Sequence, residues 1–183
     1  MYYISKFLIK NENREFYLSP FTNIEIIEAL KFANAKIHFI DIDVKTGYPK
    51  NLDKIIEKKN QKRCLIITHL YSGHDDLKNL YEKLRLRDEN LKVIEDNALN
   101  FGMKFNNQYL GLLFDFGIFS FGKLKKFSII YGGAIYFKDK AFEDYYSKIE
   151  KEKLKDMPKS FILKELIKAL IFKISLTDLI YNF

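Results

Sequence analysis

A chain of 183 residues can bury one sizeable core, and this length favours a single domain with appended helices over two full domains. Apolar residues make up 48% of the chain and aromatic residues 16%, which excludes an intrinsically disordered protein. The formal net charge is +7 at pH 7, but the lysines are dispersed and many alternate with Glu or Asp. The charge therefore predicts a solvated surface rather than a nucleic-acid partner.

The first ten residues and the single cysteine bear on the cellular compartment. Met1–Lys10 has neither a continuous apolar run nor a small-residue cleavage site, so we expect no signal peptide and no membrane span there. Cys64 lies in the apolar run Cys64–Ile67, which predicts a buried thiol. Because a lone cysteine cannot form an intramolecular disulfide, we expect a cytoplasmic protein.

Short apolar runs alternate with helical stripes in the first half of the chain, as in an α/β domain with a largely parallel sheet. A strand is predicted at 16–18, and Thr22–Glu25 reads as a capping box for a helix with Ile24, Ile27 and Leu30 on one face. The remaining predicted elements here are strands at 36–41, 63–68 and 91–94, a helix that starts at Asn51, and a helix capped by Asp75 or Asp76.

The pattern changes after the strand at 91–94. Residues 104–109 predict a hairpin with its turn at Asn106-Asn107, and strands are predicted at 114–121 and 134–137. From Lys140 onward the chain is predicted to be helical, with a break near Met157-Pro158. We therefore divide the chain into a domain at 1–139 and a helical segment at 140–183.

The last helix carries a broad apolar face that needs cover, and we expect a packing or interface helix. Charged residues interrupt every run long enough to cross a bilayer, so no transmembrane span is predicted, although contact with a membrane surface stays open. The apolar residues are Ile162, Leu163, Leu166, Ile167, Leu170, Ile171 and Ile174, and the charged residues are Lys164, Glu165, Lys168 and Lys173.

Three features could carry chemistry: the acidic pair Glu95-Asp96 at a strand end, Ser120 with Lys125 after another strand, and Gly132-Gly133. Ligands of open α/β sheets bind beyond the carboxyl ends of the strands, where the acidic pair lies. Taken singly, each feature reads equally as a helix cap, a solvated lysine or a turn.

Two other site classes are not predicted. His69 and His74 have no cysteine or second acidic partner at ligand spacing, so we expect no metal site. A serine hydrolase lacks support because no Gly-x-Ser-x-Gly segment occurs.

The order of the features along the chain is more specific than any one of them. The ordered set is Ser19–Thr22, Phe39–Asp43, His69–Tyr71 with Asp76, Val93–Asp96, Gly102, Gly111, Asp115, Phe119–Phe121, Lys125 and Gly132-Gly133. From about Phe16 to Phe137 it resembles the DegT/DnrJ/StrS family of sugar-nucleotide aminotransferases, which use pyridoxal 5'-phosphate (PLP). The resemblance implies the large domain of PLP fold type I, a mostly parallel mixed sheet flanked by helices, followed here by C-terminal helices.

The resemblance also implies a role for each site residue. Lys125 would bind the PLP aldehyde covalently and carry a proton between carbons. Asp96 would keep the pyridine nitrogen protonated, because an adjacent opposite charge favours the charged form. Ser120 would help to hold the phosphate, whereas Glu95 and His69 would be structural.

Some family features differ or are missing in this sequence. Leu99 stands where the family carries a Gln or His that contacts the phenolic oxygen of PLP, so Asn97 or Asn100 would substitute for it. The segment Lys126–Tyr131 lacks the usual glycines and acidic residues. No Gly-Thr turn, which grips the phosphate at a helix start, precedes Phe16, and a few helices replace the C-terminal domain.

Two hypotheses follow from the resemblance. The first is a homodimeric, PLP-dependent aminotransferase that moves an amino group from glutamate to a keto-sugar nucleotide in polysaccharide or antibiotic-sugar biosynthesis. The second is a truncated, inactive remnant that serves as an interaction or dimerisation module. A gene fragment, a diverged remnant and a half that needs a partner chain all remain open.

Overall fold

The computed structural model describes residues 1–70, 74–122, 125, 127–128, 131–153 and 158–175, with the side chains of 74–76, 152–153 and 172–175 excepted. Helices and strands alternate through most of this range. The elements are α1 (Tyr2–Glu12), β1 (Glu15–Leu18), α2 (Ile24–Phe32), β2 (Ile37–Phe39), α3 (Leu52–Ile56), β3 (Arg63–Thr68), α4 (His74–Arg85), β4 (Leu91–Asp96), β5 (Lys104–Phe105), β6 (Gln108–Tyr109), β7 (Phe116–Ser120), β8 (Gly133–Phe137), α5 (Lys140–Lys153) and α6 (Lys159–Ser175).

A six-stranded sheet of order β2-β1-β3-β4-β7-β8 forms the centre of the fold. The first five strands run parallel, and β8 runs antiparallel to β7. Strands β5 and β6 form the separate hairpin, whose turn residues Asn106 and Asn107 have φ angles of 49° and 62° as a type I′ turn requires. This mixed, mostly parallel sheet confirms the predicted α/β fold class.

Apolar side chains alternate between the two faces of the sheet, and each face is covered by helices. Cys64 is buried on the face covered by α1, α2 and α5, as predicted. That core contains Ile4, Phe7, Leu8, Phe16, Leu18, Ile26, Leu30, Ile66, Ile94, Phe116 and Phe142. The core under α3, α4 and the hairpin contains Tyr17, Leu52, Ile55, Leu65, Ile67, Leu77, Leu80, Leu84, Val93 and Phe105.

Helix α1 is absent from the sequence-based expectations, which start their elements at Phe16. Ile4, Phe7 and Leu8 share one face of α1 and are buried against the sheet. The helix ends at Asn13, whose φ of 48° lets its N–H reach the carbonyl of Ile9. The sequence of this segment alone does not predict the helix, because its burial depends on a sheet formed by later residues.

The predicted capping box at the start of α2 is wrong in its cap residue. Asn23 is the N-cap, and its side chain accepts a 3.0 Å hydrogen bond from the backbone N–H of Glu25. The Thr22 hydroxyl instead lies 2.9 Å from that of Thr68, which ties the start of α2 to the end of β3. Ile24 is 61% exposed, so the buried face of α2 is formed by Ile26 and Leu30.

Two further expectations differ in detail. Helix α4 already includes His74, so Asp75 and Asp76 lie within the helix and neither is its N-cap. Strand β2 is limited to three residues, shorter than the predicted 36–41. The strand at 63–68 has the predicted bounds, because a central parallel strand is buried on both faces and reads as one continuous apolar run.

The two C-terminal helices differ in how they pack. Phe142 of α5 is fully buried and contacts Phe7 and Phe116 at ring-centroid distances of 5.3 Å each. Helix α6 leaves most of its apolar side chains exposed. Among the described residues, no helix combines the length and the apolar character needed to cross a bilayer. The boundary between 139 and 140 stays a prediction, while Met157 and the side chain of Ile174 lie outside the described part.

Candidate functional site

A cavity of about 410 Å³ opens at the carboxyl ends of β4 and β7. This is the sheet edge at which α/β proteins bind ligands, and the volume suits a small molecule. Asp96, Ser120 and Lys125 all line it, so the fold brings three of the predicted site residues into one space. The other lining residues are Asn23, Glu25, Ile26, Ala98, Ile118, Gly122, Tyr131 and Gly132.

Asp96 is the last residue of β4, and only 3% of its surface is exposed. Its carboxylate accepts a 3.2 Å hydrogen bond from the N–H of Ala98. Burial raises the pKa of Asp96 above its ordinary value, whereas the Ala98 amide, His69, Lys125 and the amino group of Met1 act in the opposite direction. Within the described ranges Asp96 forms no ion pair, so a ligand cation placed against it would be stabilised by the buried carboxylate.

Lys125 is held near the strand ends by a turn and by aromatic packing. Its backbone N–H donates to the carbonyl of Gly122 at 3.3 Å, and its side chain is half-buried. Phe121 and Phe127, on either side of it, both contact the Phe101 ring at centroid distances of 5.2 and 5.5 Å. These contacts anchor the segment that carries Lys125 to the turn after β4.

Ser120 ends β7 and is half-buried in the same cavity. A Cβ added to Gly122 would lie 3.7 Å from the Ser120 Oγ, so the chain passes close to the hydroxyl at this point. Phe121 donates its N–H to the carbonyl of Gly132 at 2.9 Å, which continues the pairing of β7 with β8 by one more hydrogen bond. A hydroxyl at the strand end is therefore available to an anion in the cavity.

Glu95 points away from the cavity because successive residues of a strand face opposite sides of a sheet. It is fully buried, and its carboxylate accepts the N–H groups of Gly111, Leu113 and Phe114 at 2.9, 2.8 and 3.0 Å. Its fourth partner is His69, with Nε2 at 3.1 Å. Glu95 thus fixes the loop before β7, which is the structural role predicted for it.

His69 follows β3 and is only 1% exposed. The His69 ring is hydrogen-bonded on both nitrogens: Nε2 contacts the Glu95 carboxylate, and Nδ1 lies 3.2 Å from the hydroxyl of Tyr48. Its backbone N–H donates to the carbonyl of Asp96 at 3.0 Å. His69 therefore lies behind the cavity rather than in it, while the side chain of His74 falls outside the described residues.

The structure does not bring Asn97 or Asn100 to the cavity. Asn97 is fully buried and donates to the carbonyl of Leu110 at 2.8 Å, and its Oδ1 has no partner among the described residues. Asn100 donates to the backbone carbonyl of His69. Both amides hold the turn after β4, so their predicted contact with a cofactor has no geometric support and stays a prediction.

Sequence reasoning missed three contributors to the site. Asn23 and Glu25 were treated only as a helix start, yet both line the cavity because α2 begins at the same sheet edge as the ends of β4 and β7. The amino group of Met1, at the start of α1, lies close enough to Asp96 to interact with it. Burial lowers the pKa of this amino group, and Asp96 acts to raise it.

Two glycines before and within β7 allow the loop to lie directly on the strand. A Cβ added to Gly117 would come within 1.8 Å of the carbonyl oxygen of Gly111. Gly111 itself has a φ of 88°, which side chains rarely tolerate, and its own Cβ would lie 2.4 Å from the Phe119 ring. Close backbone contact therefore supports the wall behind Asp96.

Comparisons with known proteins agree with this geometry. The model of the DegT/DnrJ/EryC1/StrS aminotransferase family matches residues 6–179, so the match extends beyond the motifs at both ends. GDP-perosamine synthase from Escherichia coli O157:H7 is 32% identical over 136 residues, which cover 73% of this chain and 36% of that protein.

Two solved structures share the fold. The aminotransferase TlmJ from Streptoalloteichus hindustanus aligns with a TM-score of 0.66 and 23% identity, over 81% of this chain and 40% of that one. The PLP form of the sugar aminotransferase Spr1654 from Streptococcus pneumoniae aligns with a TM-score of 0.59 and 19% identity, over 81% and 43%. The chain thus spans less than half the length of each of these three proteins.

Proposed function

The chain belongs to the DegT/DnrJ/EryC1/StrS aminotransferase family, and on that premise we propose that it is a PLP-dependent aminotransferase for a keto-sugar nucleotide. The observation that carries the proposal is the convergence of Asp96, Ser120 and Lys125 on one cavity. The similarity to GDP-perosamine synthase supports a nucleotide-sugar substrate. Glutamate as amino donor, a cytoplasmic location and a role in polysaccharide or antibiotic-sugar synthesis are part of the same proposal.

The residues of the cavity fit PLP in their chemistry. A buried carboxylate with a raised pKa gains from a cationic ring N–H, a hydroxyl can donate to a phosphate, and a lysine amine can react with an aldehyde. When bound, PLP supplies an electron-accepting ring that makes a proton on the substrate carbon acidic.

Each residue then has a defined task. The Lys125 amine holds the cofactor and afterwards accepts and returns a proton at the substrate carbon. The Asp96 carboxylate accepts a hydrogen bond from the ring nitrogen and keeps its proton in place. The Ser120 hydroxyl donates to a phosphate oxygen. Phe101 has a supporting task, because its contacts with Phe121 and Phe127 restrict the segment on which Lys125 lies.

We expect this chain to bind PLP more weakly than a family member that has a Gly-Thr turn. No glycine occurs in the first fifteen residues, so the two backbone donors of a Gly-Thr turn are missing from that segment. Hydrogen bonds to charged groups contribute about 1.5–3 kcal/mol each, and two of them amount to roughly 3–6 kcal/mol. This corresponds to an affinity loss of about a hundredfold to more than ten-thousandfold. Purification without bound cofactor and little transaminase activity are the expected results.

A PLP titration followed by borohydride reduction tests the proposal. The expected result is a saturable absorbance change and a reduced adduct that mass spectrometry maps to Lys125, with both lost in Lys125→Ala. Lys31→Ala is the matched control, because Lys31 is an exposed lysine in the last turn of α2 and does not line the cavity. Absence of any Lys125-dependent adduct at millimolar PLP would favour the inactive interaction module.

We also propose that the chain forms a homodimer through the exposed side of α6. Leu163, Leu170 and Ile171 are 59%, 59% and 61% exposed, and Ile162, Leu166 and Ile167 lie on the same arc. An apolar surface of this size on a soluble domain usually marks an interface. Phe161 at the start of α6 contacts Tyr131, which lines the cavity, at 5.6 Å. A second copy covering α6 would therefore lie close to the mouth of the site.

A further inference from the structure

Four residues from three segments of the chain meet at His69. Its Nδ1 lies 3.2 Å from the hydroxyl of Tyr48, in the loop after β2, and its Nε2 lies 3.1 Å from Glu95 on β4. Its main chain donates to the carbonyl of Asp96 at 3.0 Å and accepts from the side chain of Asn100. All four groups that can form hydrogen bonds on this residue are therefore engaged, in a position that is 1% exposed.

The partners of Glu95 determine how the His69 ring is oriented. Three backbone N–H groups donate to the two Glu95 carboxylate oxygens, so both oxygens act as acceptors. In the 3.1 Å contact between the two side chains, the His69 Nε2–H is therefore the donor and Glu95 is the acceptor. The Tyr48 hydroxyl occupies the other ring nitrogen, so rotation of the ring would break both hydrogen bonds. A buried donor or acceptor left without a partner is costly, which locks the ring in place.

This arrangement acts on Asp96 in two ways. Glu95 and Asp96 are adjacent on β4 and face opposite sides, so a ring that fixes Glu95 also fixes the direction in which Asp96 points. Burial raises the pKa of Asp96, and the electrostatic effect of His69 acts in the opposite direction, as do Lys125, the Met1 amino group and the amide of Ala98. The hydrogen bonds of the ring therefore act on the direction of the Asp96 side chain, and its electrostatic effect partly offsets the effect of burial on the Asp96 pKa.

We propose that His69 is a positioning residue of the cofactor site: held by Tyr48 and Glu95, it fixes the end of β4 so that Asp96 faces the cavity that it shares with Lys125. The inference deepens the proposed function and rests on it for the identity of the ligand. His69 does not touch the cavity, and it acts only through the end of β4.

Three substitutions separate the contributions of His69. His69→Phe keeps a ring of similar size and removes both side-chain hydrogen bonds. His69→Gln restores an N–H that can donate to Glu95 but removes the imidazole ring, and Tyr48→Phe removes a single oxygen. His38→Phe is the matched control, because His38 also pairs with a carboxylate, Glu15 at 2.8 Å, but lies on β2 and does not line the cavity.

The experiment uses the full chain with two readouts. Carboxyl NMR of the cofactor-free protein follows the titration midpoint of Asp96, and a PLP titration measures cofactor affinity. We expect His69→Phe to raise the Asp96 midpoint and to weaken PLP binding at least about tenfold, the loss expected when about 1.4 kcal/mol of positioning is removed. His69→Gln should recover most of the affinity while its Asp96 midpoint stays raised. His38→Phe should leave both readouts unchanged.

The inference is overturned if His69→Phe folds and shows the Asp96 midpoint and the PLP affinity of the unsubstituted chain. If the unsubstituted chain takes up no PLP, the proposed function fails, and the Asp96 midpoint without cofactor still decides the role of His69. If His69→Phe does not fold, Tyr48→Phe decides instead, since loss of one hydroxyl should still shift the Asp96 midpoint. No shift in that variant overturns the inference as well.

Discussion

Substitution of Glu95 by Gln should destabilise the protein strongly although it changes a single atom. Oε2 of Glu95 accepts the amides of Leu113 and Phe114, and Oε1 accepts that of Gly111. An amide can keep its oxygen in only one of the two positions. If the amide oxygen of Gln takes the place of Oε2, the NH₂ group takes the place of Oε1 and faces the N–H of Gly111. Two donors then oppose each other in a buried position where no water can accept from them.

The magnitude is worked from the three backbone bonds, and loss of the His69 hydrogen bond on Oε1 adds to it. Each charge-assisted hydrogen bond contributes about 1.5–3 kcal/mol, and a neutral acceptor supplies roughly half of that. Losing one bond and halving two gives a decrease of about 4 kcal/mol in the free energy of unfolding. Such a decrease is a large fraction of the 5–15 kcal/mol typical of a folded domain and lowers Tm by roughly 8–16 °C for a chain of this length.

Urea denaturation followed by far-UV circular dichroism measures this change. Glu89→Gln is the control, because Glu89 is exposed and the same substitution there should change the free energy of unfolding by less than about 0.5 kcal/mol. The m-value should stay unchanged in both variants, so that midpoints report stability alone. A loss below about 1 kcal/mol in Glu95→Gln would refute the view that these three amides depend on the carboxylate.

Three further predictions test other parts of the structure. Burial raises the folded pKa of Asp96, so the unsubstituted chain should lose stability relative to Asp96→Asn as the pH rises from the ordinary pKa through the folded one. We expect the two proteins to have the same urea midpoint near pH 3, and Asp96→Asn to have the higher midpoint at pH 7. A lower midpoint for Asp96→Asn at pH 7 would contradict this. Gly117→Ala should cost about 3 kcal/mol or more because its Cβ would lie 1.8 Å from the Gly111 oxygen, and a cost under about 1 kcal/mol would show that the loop can move. Leu166→Lys with Leu170→Lys should convert a dimer into a monomer in light scattering, whereas a monomeric unsubstituted chain at high concentration would count against the α6 interface.

The sequence predicts the central strands and the hairpin well because their signals are local. Residues 63–68 form a continuous apolar run, as a parallel strand covered on both faces requires. Asn106-Asn107 supplies the two positive φ angles of the hairpin turn without help from distant contacts. Helix α1 was missed although Ile4, Phe7 and Leu8 have helical spacing, because its burial depends on a sheet formed by later residues.

For the site, the order of motifs in the sequence indicated Asp96, Ser120 and Lys125 and suggested that Glu95 is structural. Only the tertiary structure brings the three residues to one cavity and adds Glu25, which belongs to a helix far away in sequence. The physical reason is that parallel strands separated by whole helices end at the same sheet edge, so neighbours in the cavity are distant along the chain.

The residues next to Asp96 show, within one short segment, which features the sequence predicts and which depend on tertiary packing. The alternation of a strand, read from the sequence, already implies that Glu95 and Asp96 face opposite ways. It does not say which side holds the cavity, nor that Asn97 would be buried behind it with its amide on the carbonyl of Leu110. Those outcomes depend on how the sheet packs against its helices and loops. The sequence by itself determines which residues occur at the strand ends and in which order, and the tertiary packing determines which groups they contact.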